Sequence, residues 1–162
     1  MAQSNRSRRS KVSVLPGSIC ETMSPVAQFI FKCINDNEYK KLQHFLDREE
    51  GQVNVMALKE QRYFTALSLS AFKNHSQCFK VIYNHALKHN LNESTSNRLN
   101  QSSFVGPSLA SWVNQFTDEK FTALHFASFH GNLELIELMI NQMEANNNVT
   151  NVYGANCLHI AA

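Results

Sequence analysis

The sequence predicts an all-α solenoid of about three helix-turn-helix repeats followed by a truncated fourth. The first observation is segment 121–140, which holds two short amphipathic patterns separated by a glycine-containing turn. The second is recurrence, because much of this pattern returns at 64–72 and again at 154–162. The third is spacing, since His125 and His159 are 34 residues apart (159 − 125). Stacked repeats usually hold protein partners rather than catalyse reactions.

In the central unit, Thr122 is placed to cap the first helix, because its hydroxyl can accept a hydrogen bond from an otherwise unpaired backbone N–H. Leu124 and Ala127 then supply a short apolar face. Gly131 follows where a left-handed residue is needed to end the helix. The second helix has an apolar stripe with its acidic residues on the solvated side. Neither helix is long enough to be stable alone, so each must pack against a neighbour.

The neighbouring units match less well. Segment 64–72 aligns with 121–129 without a gap, and Asn74 then falls at the turn position, where asparagine tolerates a left-handed backbone. Segment 29–46 is a weaker match, with Asn37 at the turn and no threonine cap. We therefore expect two degenerate repeats upstream of the central one.

A period of about 33 residues with a Thr-x-Leu-His opening is typical of ankyrin repeats, and the chain resembles the ankyrin-repeat family from about Pro25 to Ala162. By this resemblance the structural signature consists of Thr65, Leu67, Asn74, Thr122, Leu124, His125, Ala127, Gly131, Gly154, Leu158, His159 and Ala161. The resemblance implies that the imidazoles of His125 and His159 bond to the capping residue and nearby backbone rather than to a metal or substrate. The departures from the family are Ala66, Ala123 and Cys157 in place of its proline, and Ser68 in place of its histidine.

The repeats are expected at about 25–54, 61–87 and 118–148, with a partial one at 152–162. Because Thr65 and Thr122 are 57 residues apart (122 − 65), about 24 residues exceed one repeat, and they predict a polar insert at 88–107 that leaves the stack. Such an insert is either a binding element or an unselected loop.

Residues 1–24 form a predicted disordered basic tail. Its arginines and lysine precede the first acidic residue, Glu21. A transit peptide would have a similar composition but needs an amphipathic helix, which is not evident here. A phosphorylation site at Ser10 or Ser13 behind the arginines is a weaker alternative, and a solvated tail is the simplest interpretation.

Composition limits the function further. The chain has 162 residues, 43% of them hydrophobic, and no apolar run long enough to cross a membrane. A net charge of +2 is too small to indicate a nucleic-acid or membrane surface for the whole chain. Four scattered cysteines without a Cys-x-x-Cys pair favour a reducing, cytoplasmic location.

No catalytic, cofactor-binding or metal-binding residue is predicted. The sequence has no glycine-rich phosphate loop, nucleophile elbow or paired-carboxylate arrangement. His85 and His89 have the helical spacing of a metal pair, but no obvious third ligand accompanies them. A monomeric, non-enzymatic protein-binding module is therefore expected, acting through its concave face and the loops between repeats.

By matching family positions, two groups of side chains are predicted to contact the partner. Those at the finger tips are Arg62, Tyr63, Gln115, Phe116, Asp118, Lys120, Val152 and Tyr153. Those near the inner groove are Ser128, Phe129 and His130. Because Phe129 recurs as Phe72, packing of both rings between repeats is an equal alternative.

The chain stops after the first helix of the last unit, which leaves Leu158 and Ile160 without a covering helix. We therefore expect a fragment or truncated product of a longer array. Segments 112–132 and 156–162 resemble the ankyrin portion of Asp-His-His-Cys palmitoyltransferases. That resemblance implies an alternative role as the cytosolic recruiting arm of such an enzyme, non-catalytic in this chain and membrane-associated only through transmembrane helices elsewhere in the parent protein.

Overall fold

The computed structural model describes residues 23–49, 52–96 and 108–162, and this part of the chain is helical. Its helices are α1 (Pro25–Asn35), α2 (Tyr39–Arg48), α3 (Ala66–Phe72), α4 (Ser76–Ser96), α5 (Leu109–Val113), α6 (Ala123–Phe129), α7 (Leu133–Gln142) and α8 (Cys157–Ala161). Short 3-10 turns lie at Val55–Ala57 and Gln61–Tyr63. The predicted all-α solenoid is confirmed.

The helices form two layers. The inner layer runs α1, α3, α6, α8, each helix packed on the next, and α2, α4 and α7 pack behind their inner partners. The Tyr83 hydroxyl of α4 donates to the Gln142 carbonyl of α7 at 3.3 Å, which links the last two outer helices. One continuous core therefore runs through the stack.

Small side chains set the spacing of the inner layer. Ala66 and Ala71 of α3 are fully buried, as are Ala123 and Ala127 of α6. Because alanine adds only a methyl group, these seven-residue helices can approach one another closely along their whole length. Packing of this kind stabilises helices that are too short to form in isolation.

The same cap begins α3 and α6. The Thr65 hydroxyl accepts from the Ser68 N–H at 3.1 Å, while the Ser68 hydroxyl accepts from the Thr65 N–H at 2.9 Å. In α6 the Nδ1 atom of His125 accepts from the Thr122 N–H at 3.1 Å and lies 2.8 Å from its hydroxyl. Serine and histidine thus perform the same reciprocal capping-box role.

Left-handed residues end the inner helices. Asn37, Asn74 and Gly131 have φ values of 56°, 58° and 63° and stand at equivalent turn positions. Side chains at these turns then join adjacent repeats: His75 Nδ1 lies 2.7 Å from the Ile34 carbonyl. The Asn132 amide donates to Asn74 Oδ1 at 2.7 Å. The turn edge is therefore a chain of inter-repeat hydrogen bonds.

Loops between repeats form three hairpin-like fingers: finger 1 (59–65), finger 2 (117–121) and finger 3 (151–155). Each has a left-handed residue two positions before the residue that caps the next helix: Tyr63 (φ 60°), Lys120 (φ 59°) and Gly154 (φ 76°). Arg62, at φ 60°, adds a second such residue to finger 1. Only glycine adopts this conformation without a steric penalty, so fingers 1 and 2 hold strained side chains.

The first part of the predicted insert (88–96) is helical. Helix α4 continues to Ser96 because residues 85–96 contain neither glycine nor proline and include good helix formers. The described part of the chain resumes at Ser108. The Ser108 hydroxyl caps α5, and Trp112 of α5 is buried. The rest of the predicted insert (97–107), and residues 1–22 of the predicted tail, lie outside the described residues. None of the described helices is long and apolar enough to cross a bilayer.

His125 is the largest buried titratable group of the inner layer. Its ring is almost fully buried, and because Nδ1 accepts from Thr122, the neutral ring carries its proton on Nε2. Nε2 has no hydrogen-bond partner, although backbone of Ala155 and Val149 lies close enough to oppose part of the shift. Burial dominates and lowers the pKa of His125 below its usual 6.5.

The lowered pKa predicts acid sensitivity. The unfolded chain binds the proton more readily than the folded one. The contribution of the neutral His125 ring to the free energy of unfolding is therefore fully present above pH 6.5, and it is lost as the pH falls from 6.5 towards the folded pKa. The slope attributable to one such group cannot exceed about 1.4 kcal/mol per pH unit. Urea unfolding of wild type and His125→Gln is measured at pH values above and below 6.5. The free energy of unfolding should depend less steeply on pH in the variant. Parallel curves would contradict the assignment.

The strained fingers predict an unusual effect of glycine. Lys120→Gly should raise the free energy of unfolding by about 0.5–1 kcal/mol, because relief of the left-handed penalty exceeds the entropy of the added glycine. Gly154→Ala should lower it by about 1 kcal/mol, since a Cβ there meets no atom within 4 Å and only the backbone is strained. Urea midpoints measure both changes, and a midpoint that falls in Lys120→Gly would refute the interpretation.

Candidate partner-binding face

The three fingers lie side by side and are joined through their backbones. The Asp118 N–H in finger 2 donates to the Arg62 carbonyl of finger 1 at 3.2 Å. The Val152 N–H in finger 3 donates to the Glu119 carbonyl at 3.2 Å. These bonds bring the tips together as one continuous surface.

Each finger is closed by its own hydrogen bonds. The closing N–H···O distances are 2.8 Å from Glu60 to Phe64, 2.9 Å from Thr117 to Phe121 and 2.9 Å from Asn151 to Ala155. The buried Asn151 side chain also accepts from the Tyr153 and Ala155 N–H groups, both at 3.0 Å. Because these backbone groups are paired internally, the fingers can present side chains without first rearranging.

An aromatic row connects the fingers to the inner helices. It consists of Phe64, Phe72, Phe126, Phe121 and Tyr153. The rings of Phe64, Phe72 and Phe126 are mutually 5.3–5.6 Å apart, Phe126 lies 5.5 Å from Phe121, and Phe121 lies 6.5 Å from Tyr153. Such spacings are within the range of favourable ring contacts.

Three aromatic side chains of the fingers and inner helices are largely exposed. Tyr63 is 62% exposed, Phe129 is 71% exposed and Tyr153 is 73% exposed. Phe72 is partly covered by its contacts in the row, so it and Phe129 do not behave alike although they occupy the same repeat position. The Phe72 ring is therefore partly packed between repeats, whereas the Phe129 ring is not.

Charged groups of both signs lie in and near finger 1. The Lys59 ammonium lies 5.9 Å from the centre of the Tyr63 ring, within cation–π range. Burial raises the pKa of Glu60, and the nearby positive charge of Lys73 opposes that shift. The stem of finger 1 thus holds a partly desolvated carboxyl beside cationic groups.

The structure distributes the predicted contact residues unevenly. The exposed ones on finger tips are Arg62, Tyr63, Asp118, Lys120, Val152 and Tyr153. Gln115 and Phe116 precede finger 2 instead of lying at a tip, and the Gln115 side-chain oxygen is buried without a partner. The Nε2 atom of His130 lies 2.7 Å from the Phe72 carbonyl, so this residue also joins repeats.

The structure buries Ser128 instead of exposing it at the inner groove. It was predicted at the inner groove, yet it is only 6% exposed. Helix α6 lies between α3 and α8, so the side chains that face along the stack are covered on both sides. Ser128 is on a covered side, whereas the next residue, Phe129, faces outward.

The signature residues mostly form the frame of this face. Leu67, Leu124 and Ala127 are buried in the core, as are the capping Thr65 and Thr122. In α8 the equivalent cap is Asn156, which accepts from the His159 N–H at 3.1 Å. Leu158 and Ala161 are exposed, because no described helix covers that side of α8.

Sequence reasoning missed two features. The contact of Lys59 with Tyr63 depends on the hairpin bend, which brings Lys59 opposite Thr65. The aromatic row could have been found from the phenylalanine that precedes each threonine cap, Phe64 and Phe121. Within the described ranges, no group of three potential ligands is arranged to hold a metal ion.

Comparisons with known proteins agree with this architecture. The family model described as Ankyrin repeat matches residues 119–152, which contain helices α6 and α7 together with parts of fingers 2 and 3. A search of curated proteins found no match. Among solved structures, the chain is similar to one in the crystal structure of the yeast ribosomal protein Rps3 in complex with its chaperone Yar1. The TM-score is 0.64 with 21% sequence identity, over 84% of this chain and 82% of that chain.

At this level of identity the structural similarity establishes the fold alone. The stack, its threonine-capped inner helices and the sequence match over 119–152 together lead to one conclusion. The chain contains an ankyrin repeat at residues 119–152, and its described part has the fold of an ankyrin-repeat solenoid.

Proposed function

We propose that this chain binds a protein partner through the exposed side of fingers 1 to 3 and the exposed sides of the inner helices that follow them. The observation that carries the proposal is the exposure of Tyr63, Phe129 and Tyr153 on a surface whose fingers are hydrogen-bonded to one another. Aromatic side chains of this kind are enriched among the residues that dominate binding energy. They bring large contact area with few rotatable bonds.

Backbone strain supports the same surface. Tyr63 and Lys120 occupy left-handed positions that glycine fills more easily, as Gly154 does in finger 3. Strained residues cluster at functional sites, so side chains kept there at an energetic penalty are good candidates for contact with a partner.

Mechanistically, the chain supplies a preformed surface and no chemistry. The short internal bonds of each finger limit the entropy lost on binding. Apolar partner groups would cover Phe129 and Tyr153, while Arg62, Asp118 and Lys120 would supply polar contacts around them. The yeast structure is described as a ribosomal protein in complex with its chaperone, which is a precedent for protein binding in a structure that contains this fold.

We further propose a monomer that works in the cytoplasm. The thiols of Cys33, Cys78 and Cys157 are free and buried, which fits a reducing compartment. The alternative role as a recruiting arm of a palmitoyltransferase uses the same binding face and stays a prediction.

Photo-crosslinking tests the location of the binding face. Benzoylphenylalanine placed at Phe129 or at Tyr153 should capture the same partner protein in cells. The matched control is Leu133 on α7, which is 70% exposed but lies on the outer layer. Capture from Leu133 alone, or equally from all three sites, would contradict the proposal.

Alanine variants test the energetics with the partner so identified. The double variant Phe129→Ala, Tyr153→Ala should weaken affinity by about thirtyfold or more, since each ring is expected to contribute on the order of 1–2 kcal/mol. Its free energy of unfolding should change by less than about 0.5 kcal/mol, because both rings are exposed. Calorimetry measures the affinity, with Leu133→Ala as the control. Urea unfolding measures the free energy of unfolding. Lost helical signal in the double variant would show that the rings belong to the core.

A further inference from the structure

The end of the described stack formed by α1 and α2 differs from the interior of the stack. In α4 and α7, the side chains four and eight residues after the left-handed turn residue are fully buried; they are Cys78, Ile82, Leu135 and Met139. In α2 the same positions, counted from Asn37, hold Lys41 and Phe45. The Lys41 side chain is 65% exposed. A position that receives a neighbouring repeat elsewhere is therefore open and charged here.

This end holds a groove of about 430 Å³. Its floor is apolar, because the rings of Phe29 and Phe45 pack 4.7 Å apart, and Phe29 is 38% exposed. Its remaining walls are basic or titratable: they are Lys40, Lys41, His44 and Arg48. An exposed apolar floor with a rim of one charge sign is typical of an interaction site.

The acidic residues near the groove stand outside its lining. Glu38 pairs with Lys41, and Glu49 lies 3.3 Å from Arg48. Exposed pairs of this kind contribute little stability, so they can exchange partners at small cost. The adjoining residues 1–22 carry four basic residues and one acidic residue, and therefore cannot neutralise the groove.

We propose that this groove binds an acidic protein segment, with an apolar side chain of that segment inserted against Phe29 and Phe45. The carboxylates would pair with Lys40, Lys41 and Arg48 around the rim. A further repeat of the same kind does not fit, because stacking it here would bury Lys41 and Arg48. The inference is independent of the finger surface, which is built from other elements.

The charge balance favours a protein segment over a nucleic acid. Residues 25–49 contain four basic and four acidic side chains, so this end of the stack has no net charge to attract a polyphosphate at long range. Recognition must instead come from short contacts at the groove, where apolar and acidic groups together match its lining.

A labelled peptide tests the proposal. The probe has a central Leu-Phe pair flanked by glutamates, and its fluorescence anisotropy is measured with the full chain. Raising salt from about 50 to 300 mM should weaken its binding several-fold, and a peptide with glutamine in place of glutamate should bind about tenfold more weakly. A wild-type chain that binds the two peptides equally, or binds neither, would overturn the proposal without any variant having to fold.

Variants locate the site. A triple variant should reduce binding of the acidic peptide by about tenfold or more; it combines Lys40→Glu, Lys41→Glu and Arg48→Glu. The control Lys73→Glu, Lys88→Glu, Lys120→Glu changes net charge equally but leaves the groove intact, and it should bind like wild type. Phe29→Ala should also weaken binding, with unchanged circular dichroism. Equal losses in both charge variants would show general attraction and overturn the site.

Two further outcomes separate this groove from other surfaces. Phe129→Ala, Tyr153→Ala should bind the acidic peptide normally even where it loses the finger partner, so the two proposals can fail separately. An oligothymidine that binds more tightly than the acidic peptide and is displaced by the groove variant would identify a nucleic-acid site and refute the protein-segment assignment.

Discussion

Side-to-side packing of the inner helices is the interaction on which the rest of this structure depends. Helices α3 and α6 have only seven residues each, and alone they would not hold together in water. Alanines at 66, 71, 123 and 127 let the backbones approach closely enough that α3 and α6 are covered by the inner helices on either side of them. Because each repeat contacts mainly the next one, stability adds up along the stack, and a change in one interface is felt locally.

The caps and turns convert this packing into a surface. Threonine caps start α3 and α6 in register, and left-handed residues follow their last turns, so the fingers emerge on the same side. Hydrogen bonds between fingers then keep the tips adjacent. His125 shows the compromise involved: it secures the cap through Nδ1 but leaves Nε2 unpaired in the core. A rigid face with exposed rings follows from a frame whose polar groups are mostly satisfied internally.

The two proposed surfaces would bind their partners through different kinds of interaction. On the finger face, aromatic side chains are exposed on fingers closed by internal hydrogen bonds, so burial of Phe129 and Tyr153 would dominate binding. At the α1–α2 end, apolar floor and basic rim act together, and salt should matter more. One short array can in this way hold two partners, since the finger face and the end groove share no residues.

The sequence by itself determined the helical repeats, their turns and their caps. Thr122, Asn74 and Gly131 act through local backbone geometry, which depends on residues within one turn and can be read from spacing. Only the tertiary structure decided which side of each helix remained open. Ser128 and Phe129 are consecutive, yet the packing of α6 between α3 and α8 buries the first and exposes the second. It likewise placed Lys41 and Phe45 at an open end rather than in the core, because exposure depends on what packs beside a residue and not on the residue's own pattern.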